Sequence, residues 1–311
     1  MKELNYERVF NVLVEETSNY ITRNRLNAMV LGISGGIDST VVAAICHEVS
    51  KQTGIPLIGR SLPIKNKRNE FDVSKLVGEA FCNDFAVANL YDEYKEILSG
   101  IVWREESIDL LDKDNANMSP DKSKMQTPVA NGNIQARLRM IYLYNLASIH
   151  KGLVMSTDNQ TEYQLGFWTI HGDVGDFDPI QGLWKTEVYG LAKWLLDNYD
   201  YWRNPLRNDS GGASWNEQAY AAMKASIALT PTDGLGISNS DLDQIGAKSY
   251  YDVDRVLQTV TCKASPENDK LQDELTAELG PDVVDKIIQR HHNSRFKRLL
   301  SPIIVPRELY D

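Results

Sequence analysis

Residues 28–40, Ala-Met-Val-Leu-Gly-Ile-Ser-Gly-Gly-Ile-Asp-Ser-Thr, decide the fold of this chain. The run 28–33 is apolar and contains β-branched residues such as Val30 and Ile33, which is typical of a buried strand. The Ser-Gly-Gly turn that follows lets the backbone approach a ligand closely. From Asp38 onward, apolar residues recur at helical spacing. A strand, a small-residue turn and a helix N-terminus together predict an anion site, because unpaired N–H groups and the positive end of the helix dipole meet there.

This predicted anion site differs from a P-loop. A P-loop carries a Lys before its Ser or Thr, at the end of a longer glycine loop, whereas this helix opens with Asp38, Ser39 and Thr40. An acidic residue beside bound phosphates is reasonable where it holds Mg²⁺. The hydroxyl groups of Ser34, Ser39 and Thr40 would add donors. The alternative is an ordinary strand–helix turn in which Asp38 only caps the helix.

Composition limits the class of protein. The chain has 311 residues, 42% of them hydrophobic and 24% charged, enough for one large core or two smaller ones. A net charge of -10 argues against a dedicated nucleic-acid binder, which would present a basic face. The three cysteines are far apart, so we expect reduced thiols in a cytoplasmic protein, and the five histidines show no metal-binding spacing. The N-terminus does not resemble a signal peptide, and no window resembles a membrane span.

Strand patterns alternate with helical patterns along the first half of the chain. After an amphipathic helix over 5–25, we predict strands at 28–33, 55–63, 85–90 and 152–157. This alternation predicts an α/β fold, a Rossmann-like parallel sheet with helices on both faces in three layers. Ligands bind at the C-terminal strand ends of such sheets, which is where residues 34–38 lie.

The middle of the chain contains a long polar segment and a helix. Residues 105–132 have few large apolar side chains, which predicts a mobile loop or an interface element, with simple disorder as the alternative. Residues 131–150 predict a helix that an asparagine caps. Arg137 and Arg139 on this helix are two positions apart and cannot share a face. One of them can reach a ligand while the other meets solvent or a carboxylate.

Acidic residues follow the last predicted strand. The run 157–162, Thr-Asp-Asn-Gln-Thr-Glu, comes directly after it, and residues 166–179 are rich in Gly and Asp. Carboxylates in this position suit Mg²⁺, which takes few protein ligands and adds substrate phosphates. The alternative is a set of caps and turns, for which Asp and Gly are the usual residues. The basic segment 295–298 is either a solvated face or a contact for an anionic substrate.

Motifs spread in order over residues 28–300 resemble those of the ammonia-dependent NAD synthetases, within the N-type ATP pyrophosphatase superfamily. The first motif, Ser-Gly-Gly-Ile-Asp-Ser, indicates only the superfamily. The segments Asn-Ile-Gln-Ala-Arg-Leu-Arg-Met at 133–140 and Ser-Thr-Asp-Asn-Gln-Thr-Glu at 156–162 are more specific. Further matches are Gly-Phe-Trp-Thr at 166–169, Gly-Asp-Val-Gly at 172–175, Pro179 with Lys185, Pro-Thr-Asp-Gly-Leu at 231–235, Gly-Ile-Ser at 236–238 and Phe-Lys-Arg at 296–298.

The resemblance implies a reaction in two steps. ATP adenylates the nicotinate carboxylate of deamido-NAD and releases pyrophosphate, and ammonia then attacks the acyl-adenylate to give NAD and AMP. Such catalysis rests on alignment and charge neutralisation more than on a side-chain nucleophile. The resemblance also implies Mg²⁺ as cofactor and a homodimer with the dinucleotide near its interface. We expect a single domain over 1–311 with no glutaminase domain, because few residues precede the first motif, so that ammonia is free or comes from a partner chain.

The resemblance carries roles to individual positions. ATP would be bound by Ser34, Gly35, Gly36, Ile37, Asp38, Ser39, Thr157, Lys185 and Thr232. Deamido-NAD would be bound by Arg137, Asp173, Asp176, Phe296 and Lys297. The metal ligands would be Asp38 and Glu162, and the catalytic residues Asp38 and Lys185. The chain departs from the family at Ile170 and Phe296, where Lys and His are common, and at Ser61, where Arg is common. These departures concern dinucleotide contacts more than ATP cleavage.

Two other functions are compatible with the first motif. One is a different ATP-pyrophosphatase ligase, such as a GMP synthetase-type amidoligase or a tRNA-thiolating enzyme, although a thiolating enzyme would usually need paired cysteines. The other is a non-catalytic adenine-nucleotide sensor. The presence of Asp38, Glu162 and Lys185 argues against a sensor, because binding of ATP alone does not need a metal-aligned cleavage site.

Overall fold

Within the residues that the computed structural model describes, 4–108, 127–198, 216–230, 241–262 and 265–298, four strands form one parallel sheet. The strands are β1 Met29–Gly32, β2 Leu57–Ser61, β3 Asp84–Val87 and β4 Leu153–Met155. Their order across the sheet is β3-β2-β1-β4. Met29 of β1 aligns with Leu57 of β2 on one side and with Leu153 of β4 on the other. The predicted parallel α/β sheet is confirmed.

Helices join the strands and continue beyond the last one. Helix α1 Tyr6–Arg23 precedes β1, and the helices between the first and last strands are α2 Ile37–Thr53, α3 Arg68–Phe81, α4 Tyr91–Ile108 and α5 Pro128–His150. Those that follow β4 are α6 Gln160–Leu165, α7 Lys185–Asp197, α8 Glu217–Ala228, α9 Asp241–Ile245, α10 Tyr250–Thr261, α11 Pro266–Leu279, α12 Pro281–Asn293 and α13 Arg295–Arg298.

The helices cover both faces of the sheet because successive side chains of a strand point to opposite faces. Met29 and Leu31 of β1 belong to a buried apolar cluster with α1, α2, α7 and α8. Val30, which lies between them, belongs to a second cluster with Leu143 of α5 and Tyr94 of α4. The sheet is therefore the middle of three layers, as the alternation of strand and helix patterns predicts.

The C-terminal helices form an apolar cluster of their own. Leu165 of α6 packs there with Val253 and Leu257 of α10 and Ile287 of α12, and each of these side chains is buried. Because α6 directly follows β4, this cluster stands next to the C-terminal ends of the strands. The C-terminal helices can therefore contribute to a site at that edge. The assignment of 1–311 to one domain stays a prediction.

The long polar segment in the middle of the chain differs from its prediction at both ends. Residues 105–108 belong to α4, and α5 begins at Pro128 and not near 131. The reason is a local cap, because Thr127 Oγ1 accepts a hydrogen bond of 3.1 Å from Ala130 N and Pro128 fits the first helical turn. The centre of the predicted loop, 109–126, lies outside the described residues.

Candidate active site

The turn between β1 and α2 is fixed by one glycine and by hydroxyl groups. Gly35 has φ +86°, and a Cβ there would lie 2.7 Å from backbone atoms of α3. Ser34 Oγ lies 2.9 Å from Ser39 Oγ and accepts a hydrogen bond of 3.2 Å from Gly36 N. We call residues 33–39 the anion turn. It presents the first turn of α2, where N–H groups have no intrahelical partner, in a fixed position.

The rear of the anion turn is anchored to α8. Ser226, which is fully buried, donates a hydrogen bond of 2.9 Å to Gly35 O. Its hydroxyl lies 2.8 Å from that of Thr40, and Thr40 donates to Gly36 O at 2.9 Å. Thr40 therefore faces the interior. The expectation that its hydroxyl adds a donor to the anion site is wrong, because the helical turn directs it towards α8.

Lys185 joins two carboxylates beside the anion turn. Its Nζ lies 2.5 Å from Asp38 Oδ2 and 2.9 Å from Glu162 Oε1. Only 3% of the Lys185 side chain is exposed. Burial alone would lower the pKa of Lys185, but the carboxylates of Asp38 and Glu162 raise it well above its ordinary value. The three charged residues predicted to act together are thus adjacent, although they lie at 38, 162 and 185 in the sequence.

Glu162 is held by the start of α6. Asn159 Oδ1 accepts a hydrogen bond of 3.0 Å from Glu162 N, and Glu162 Oε2 accepts one of 3.3 Å from Asn159 N, which makes a capping box. Asn159 Nδ2 also donates to Asp38 Oδ1 at 2.8 Å. Asn159 therefore links the cap of α6 to the anion turn, a role that the sequence motif contains but that we did not assign.

Two adjoining cavities open at this edge of the sheet. The smaller, of about 200 Å³, lies between the ends of β1 and β2 and helix α5, with Leu62, Met140 and Met155 among its walls. The larger, of about 430 Å³, extends over the anion turn towards the C-terminal helices. Ser34 and Thr157 line both. A single ligand can therefore contact both cavities.

Most of the residues predicted to bind ligands line these cavities. The walls of the larger cavity include Ser34, Gly36, Ile37, Asp38, Ser39, Thr157, Glu162, Asp173 and Lys297. Gly35 shapes the anion turn from behind, against α3. Thr232 lies outside the described residues, although the neighbouring Thr230 lines the larger cavity.

Three residues predicted to bind deamido-NAD lie outside the two cavity walls. Arg137 is exposed and donates to Ile170 O at 3.1 Å. Asp176 accepts hydrogen bonds from Val154 N at 2.9 Å and from the Tyr144 hydroxyl at 3.1 Å. The Phe296 side chain is exposed at the surface of α13. Their roles stay predictions.

Of the two arginines on α5, Arg139 lines one of the two cavities described above, whereas Arg137 lines neither of them. Its Nε donates to Leu62 O at 3.0 Å and its Nη2 to Asn66 Oδ1 at 3.3 Å, and it lines the smaller cavity with Asp173. Burial lowers the pKa of Arg139, and the carboxylate of Asp173 opposes that effect. The two-residue spacing of the arginines predicted that they diverge, but not which of them turns inward.

Basic residues near the C-terminus lie at the larger cavity and around the end of α6. Lys297 Nζ donates to Gly166 O at 2.7 Å and also to Trp168 O. Arg298 Nη1 donates to Gln164 O at 2.6 Å. Burial lowers the pKa of Lys297, and the guanidinium of Arg290 lowers it further. Lys297 and Arg290 both line the larger cavity and therefore place positive charge in its wall.

Further carboxylates lie near Asp38 and Glu162. Burial raises the pKa of Asp158 well above its ordinary range, and the carboxylates of Asp173 and Glu162 raise it further. Burial raises the pKa of Asp178 to about 7. This concentration of negative charge is relieved by any additional cation, so the oxygen donors fit Mg²⁺ chemically.

Asp38 and Glu162 both line the larger cavity, so their carboxylates are accessible to a cation that enters it. Among the described residues, no group of three His, Cys, Asp or Glu side chains is arranged as a complete metal site. Mg²⁺ does not need one, because it commonly takes one or two carboxylates and completes its coordination with water and phosphate oxygens.

The fold and the site together define an α/β protein in which a glycine turn and a helix N-terminus at a strand end lie beside a lysine and two carboxylates. The profile of the NAD synthase family matches residues 9–301, and the chain belongs to this family. None of the described helices is both long and apolar enough to span a bilayer.

Individual relatives agree with this family. The NH(3)-dependent NAD(+) synthetase of Campylobacter jejuni is 30% identical over 193 residues, 62% of this chain and 69% of that protein. The NH(3)-dependent NAD(+) synthetase of Methanocaldococcus jannaschii is 27% identical over 300 residues, 95% of this chain and 96% of that protein. The structure of NMN synthetase from Francisella tularensis has the same fold, with a TM-score of 0.69 and 23% identity over 98% of this chain and all of that one.

Proposed function

We propose that this chain is an ammonia-dependent NAD synthetase, which converts deamido-NAD, ATP and ammonia to NAD, AMP and pyrophosphate. The observation that carries the proposal is the meeting of Asp38, Glu162 and Lys185 at the anion turn, where the two carboxylates line the larger cavity and the buried Lys185 joins them, in a chain of the NAD synthase family. The family match and the names of the curated relatives support the reaction. The geometry supports the part that each residue plays in it.

ATP would lie with its adenosine in the smaller cavity and its phosphates on the anion turn. The apolar walls of the smaller cavity suit a base, and backbone polar groups at the strand ends can recognise its edge. Ser34 and Ser39 supply hydroxyl groups, and the N-terminus of α2 favours the negative charge of the phosphates. Thr157 lies where the two cavities meet, so it would contact the middle of ATP.

In the first step, an oxygen of the nicotinate carboxylate attacks the α-phosphorus of ATP. The bond between that phosphorus and the bridging oxygen of pyrophosphate breaks, and pyrophosphate leaves with the bonding electrons. Lys185 would move part of its hydrogen bonding from the two carboxylates to the phosphate oxygens and stabilise the charge that develops there. Asp38 and Glu162 would hold Mg²⁺, which neutralises phosphate charge when bound.

In the second step, ammonia attacks the carbonyl carbon of the acyl-adenylate, AMP leaves, and the nitrogen loses a proton. The larger cavity would hold the nicotinate end of deamido-NAD, with Lys297 and Arg290 near its phosphates. Asp173 lines both cavities and would contact the same substrate. The main contribution of these residues is alignment of the two reacting groups.

A second copy of the chain would complete the dinucleotide site. Helix α5 exposes apolar side chains to solvent, with Ile141 63% and Ile149 66% exposed, and Tyr144 lies on the same helix. Arg137 and Asp176 lie at this surface, and the Tyr144 hydroxyl bonds Asp176. We infer a homodimer across α5, which would bring deamido-NAD to these two residues. Because ATP and pyridine dinucleotides are present in the cytoplasm, we infer that the enzyme is located there.

The proposal is tested by product formation with alternative acceptors. The purified protein is incubated with ATP, MgCl₂ and ammonium chloride, and with deamido-NAD, XMP or nicotinate mononucleotide, and AMP and the amidated product are measured by chromatography. The mononucleotide is included because the Francisella tularensis structure is that of an NMN synthetase. We expect NAD and AMP in equal amounts with deamido-NAD, and little product with the other acceptors.

Each other outcome identifies a different function. AMP and GMP formed with XMP but not with deamido-NAD would identify a GMP synthetase-type enzyme. Faster reaction with nicotinate mononucleotide than with deamido-NAD would identify the mononucleotide as the preferred substrate. ATP binding without AMP from any acceptor would indicate a sensor. The Asp38→Asn variant serves as the control for AMP from contaminating enzymes, since it should lose the activity and keep the fold.

A further inference from the structure

A buried carboxylate outside both cavities holds the two helix ends that carry the catalytic charges. Asp254 lies on α10, among the C-terminal helices, and none of its surface is exposed. Its Oδ1 accepts a hydrogen bond of 2.5 Å from Thr161 Oγ1. Its Oδ2 accepts bonds of 3.0 and 2.7 Å from the backbone N and the hydroxyl of Thr186. One carboxylate therefore binds the first turns of α6 and α7 together.

The contacts of Asp254 lie one residue away from the site on each helix. Thr161 precedes Glu162 on α6, and Thr186 follows Lys185 on α7. Thr161 Oγ1 also accepts a hydrogen bond of 2.8 Å from Lys185 N. The chain of bonds thus runs from Asp254 through Thr161 to the backbone of Lys185. These bonds therefore help to set the position of Lys185 relative to Glu162, whose charged atoms Lys185 Nζ and Glu162 Oε1 lie 2.9 Å apart.

We propose that Asp254 and Thr161 are positioning residues, which fix Lys185 and Glu162 relative to each other for adenylation. The proposal rests on the proposed function for its reaction but adds residues that touch no substrate. A carboxylate at two helix N-termini is itself favourable, because it meets the positive ends of both helix dipoles. The distinctive part of the proposal is that the bond from Thr161 sets the geometry of the catalytic charges. It also makes the C-terminal helices part of the catalytic framework.

The experiment compares two substitutions of Thr161 that differ in one group. Thr161→Val keeps the shape and removes the hydroxyl, which deletes both the bond to Asp254 and the acceptor for Lys185 N. Thr161→Ser keeps the hydroxyl. A matched control is Thr259→Val on the same helix as Asp254, since Thr259 is buried and, among the described residues, its hydroxyl bonds within the helix, to Val256 O at 2.8 Å.

Three quantities are measured for each protein: kcat and KM for NAD formation, the melting temperature, and the affinity and stoichiometry of α,β-methylene-ATP with Mg²⁺ by calorimetry. The stoichiometry gives the fraction of competent sites, so kcat is expressed per site. We expect Thr161→Val to lower kcat per site by about tenfold or more, because small misplacements of catalytic groups are costly. Thr161→Ser should stay within about threefold of the parent, and Thr259→Val within about twofold, by the same argument.

The outcomes separate a positioning role from a structural one. If the melting temperatures of Thr161→Val and Thr259→Val fall by the same amount and both variants keep the kcat per site of the parent, Thr161 has only a structural role and the proposal is wrong. If Thr161→Ser falls as far as Thr161→Val, the hydroxyl is not the cause, which also overturns it. If Thr161→Val does not fold, the pair Thr186→Val and Thr186→Ser makes the same comparison through the bond to Asp254 Oδ2.

Failure of the proposed function would be visible separately. If the parent protein forms no NAD, the reaction assigned to it is wrong, but binding of α,β-methylene-ATP with Mg²⁺ still reports on the position of Lys185 and Glu162. A lower affinity in Thr161→Val, restored in Thr161→Ser, would then support the positioning role by itself. Equal affinities in all variants of a parent that forms no NAD would contradict it.

Discussion

Replacing Lys185 with methionine removes the ammonium that joins Asp38 to Glu162 and keeps most of the aliphatic stem. Breaking a buried ion pair by removing one partner costs about 3–5 kcal/mol when the remaining charge is uncompensated. Here the side chains of Asp38 and Glu162 are 14% and 17% exposed, so water can hydrate them in part. We therefore expect Lys185→Met to lower the free energy of unfolding by about 2–3 kcal/mol.

A lysine on the same helix provides the matched control. Lys193 Nζ lies 2.8 Å from Asp197 Oδ2, but the two side chains are 71% and 56% exposed. Exposed pairs of this kind contribute little, so Lys193→Met should change the unfolding free energy by less than about 0.5 kcal/mol. Both variants and the parent are unfolded in urea at neutral pH with EDTA present, and the transition is followed by circular dichroism and tryptophan fluorescence.

Two further measurements connect this prediction to the site. Added MgCl₂ should stabilise Lys185→Met more than the parent, because the ammonium no longer competes with the metal for the two carboxylates. The rate of AMP formation should fall by about 10²-fold or more, as expected when a preorganised positive charge is removed from a phosphoryl-transfer site. If Lys185→Met is no less stable than Lys193→Met, the ion pair of Lys185 does not exist in solution and the reasoning is refuted.

Three other substitutions test separate parts of the structure. Asp38→Asn should suppress AMP formation by about 10²-fold or more, while circular dichroism and the melting temperature stay close to those of the parent; an unchanged rate would exclude Asp38 as a metal ligand. Because burial raises the pKa of Asp178 to about 7, the folded protein binds its proton more tightly than the unfolded chain, so the unfolding free energy of the metal-free enzyme should fall as pH rises from about 4 to about 7. Asp178→Asn should flatten that fall in urea titrations across this range, and identical pH profiles would contradict it. Ile141→Asp on the exposed face of α5 should convert a dimer to a monomer in sedimentation velocity, whereas Val12→Asp on α1, another exposed apolar position, should not; a monomeric parent would refute the dimer.

The sheet and the anion turn could be predicted because their signals are local. This part of the chain is contiguous in sequence and consists of the strand that ends at Gly32, the glycine turn and the start of α2. The conformation of each follows from the backbone preferences of its own residues. The parallel order of the strands follows from their alternation with helices. The start of α5 could not be predicted, because Thr127 and the asparagines near 131 are all suitable N-cap residues. The sequence alone does not show which of them caps the helix.

The direction of the two arginines on α5 could not be predicted for a different reason. Arg137 and Arg139 have the same chemistry, and the helix fixes only that they diverge. Which one turns inward depends on how α5 rotates against β1 and β4, and that rotation is set by tertiary packing of residues such as Leu143 in the second apolar cluster. The sequence resemblance selected Arg137, whereas the cavity wall contains Arg139.

A capping role and the proposed metal-binding role are compatible for the residues after β4, because the capping contacts also position the Glu162 carboxylate. The capping box of Asn159 and Glu162 satisfies the first turn of α6 and at the same time aims Glu162 at Lys185. A side chain fixed by a helix cap has few alternative rotamers, and placement of that accuracy is what a phosphate-transfer site needs. Asn159 extends the cap to Asp38, so the turn that opens α2 and the turn that opens α6 cannot move independently. The caps are therefore part of the proposed catalytic geometry, and removing Asn159 should disturb ATP cleavage although it contributes no charge.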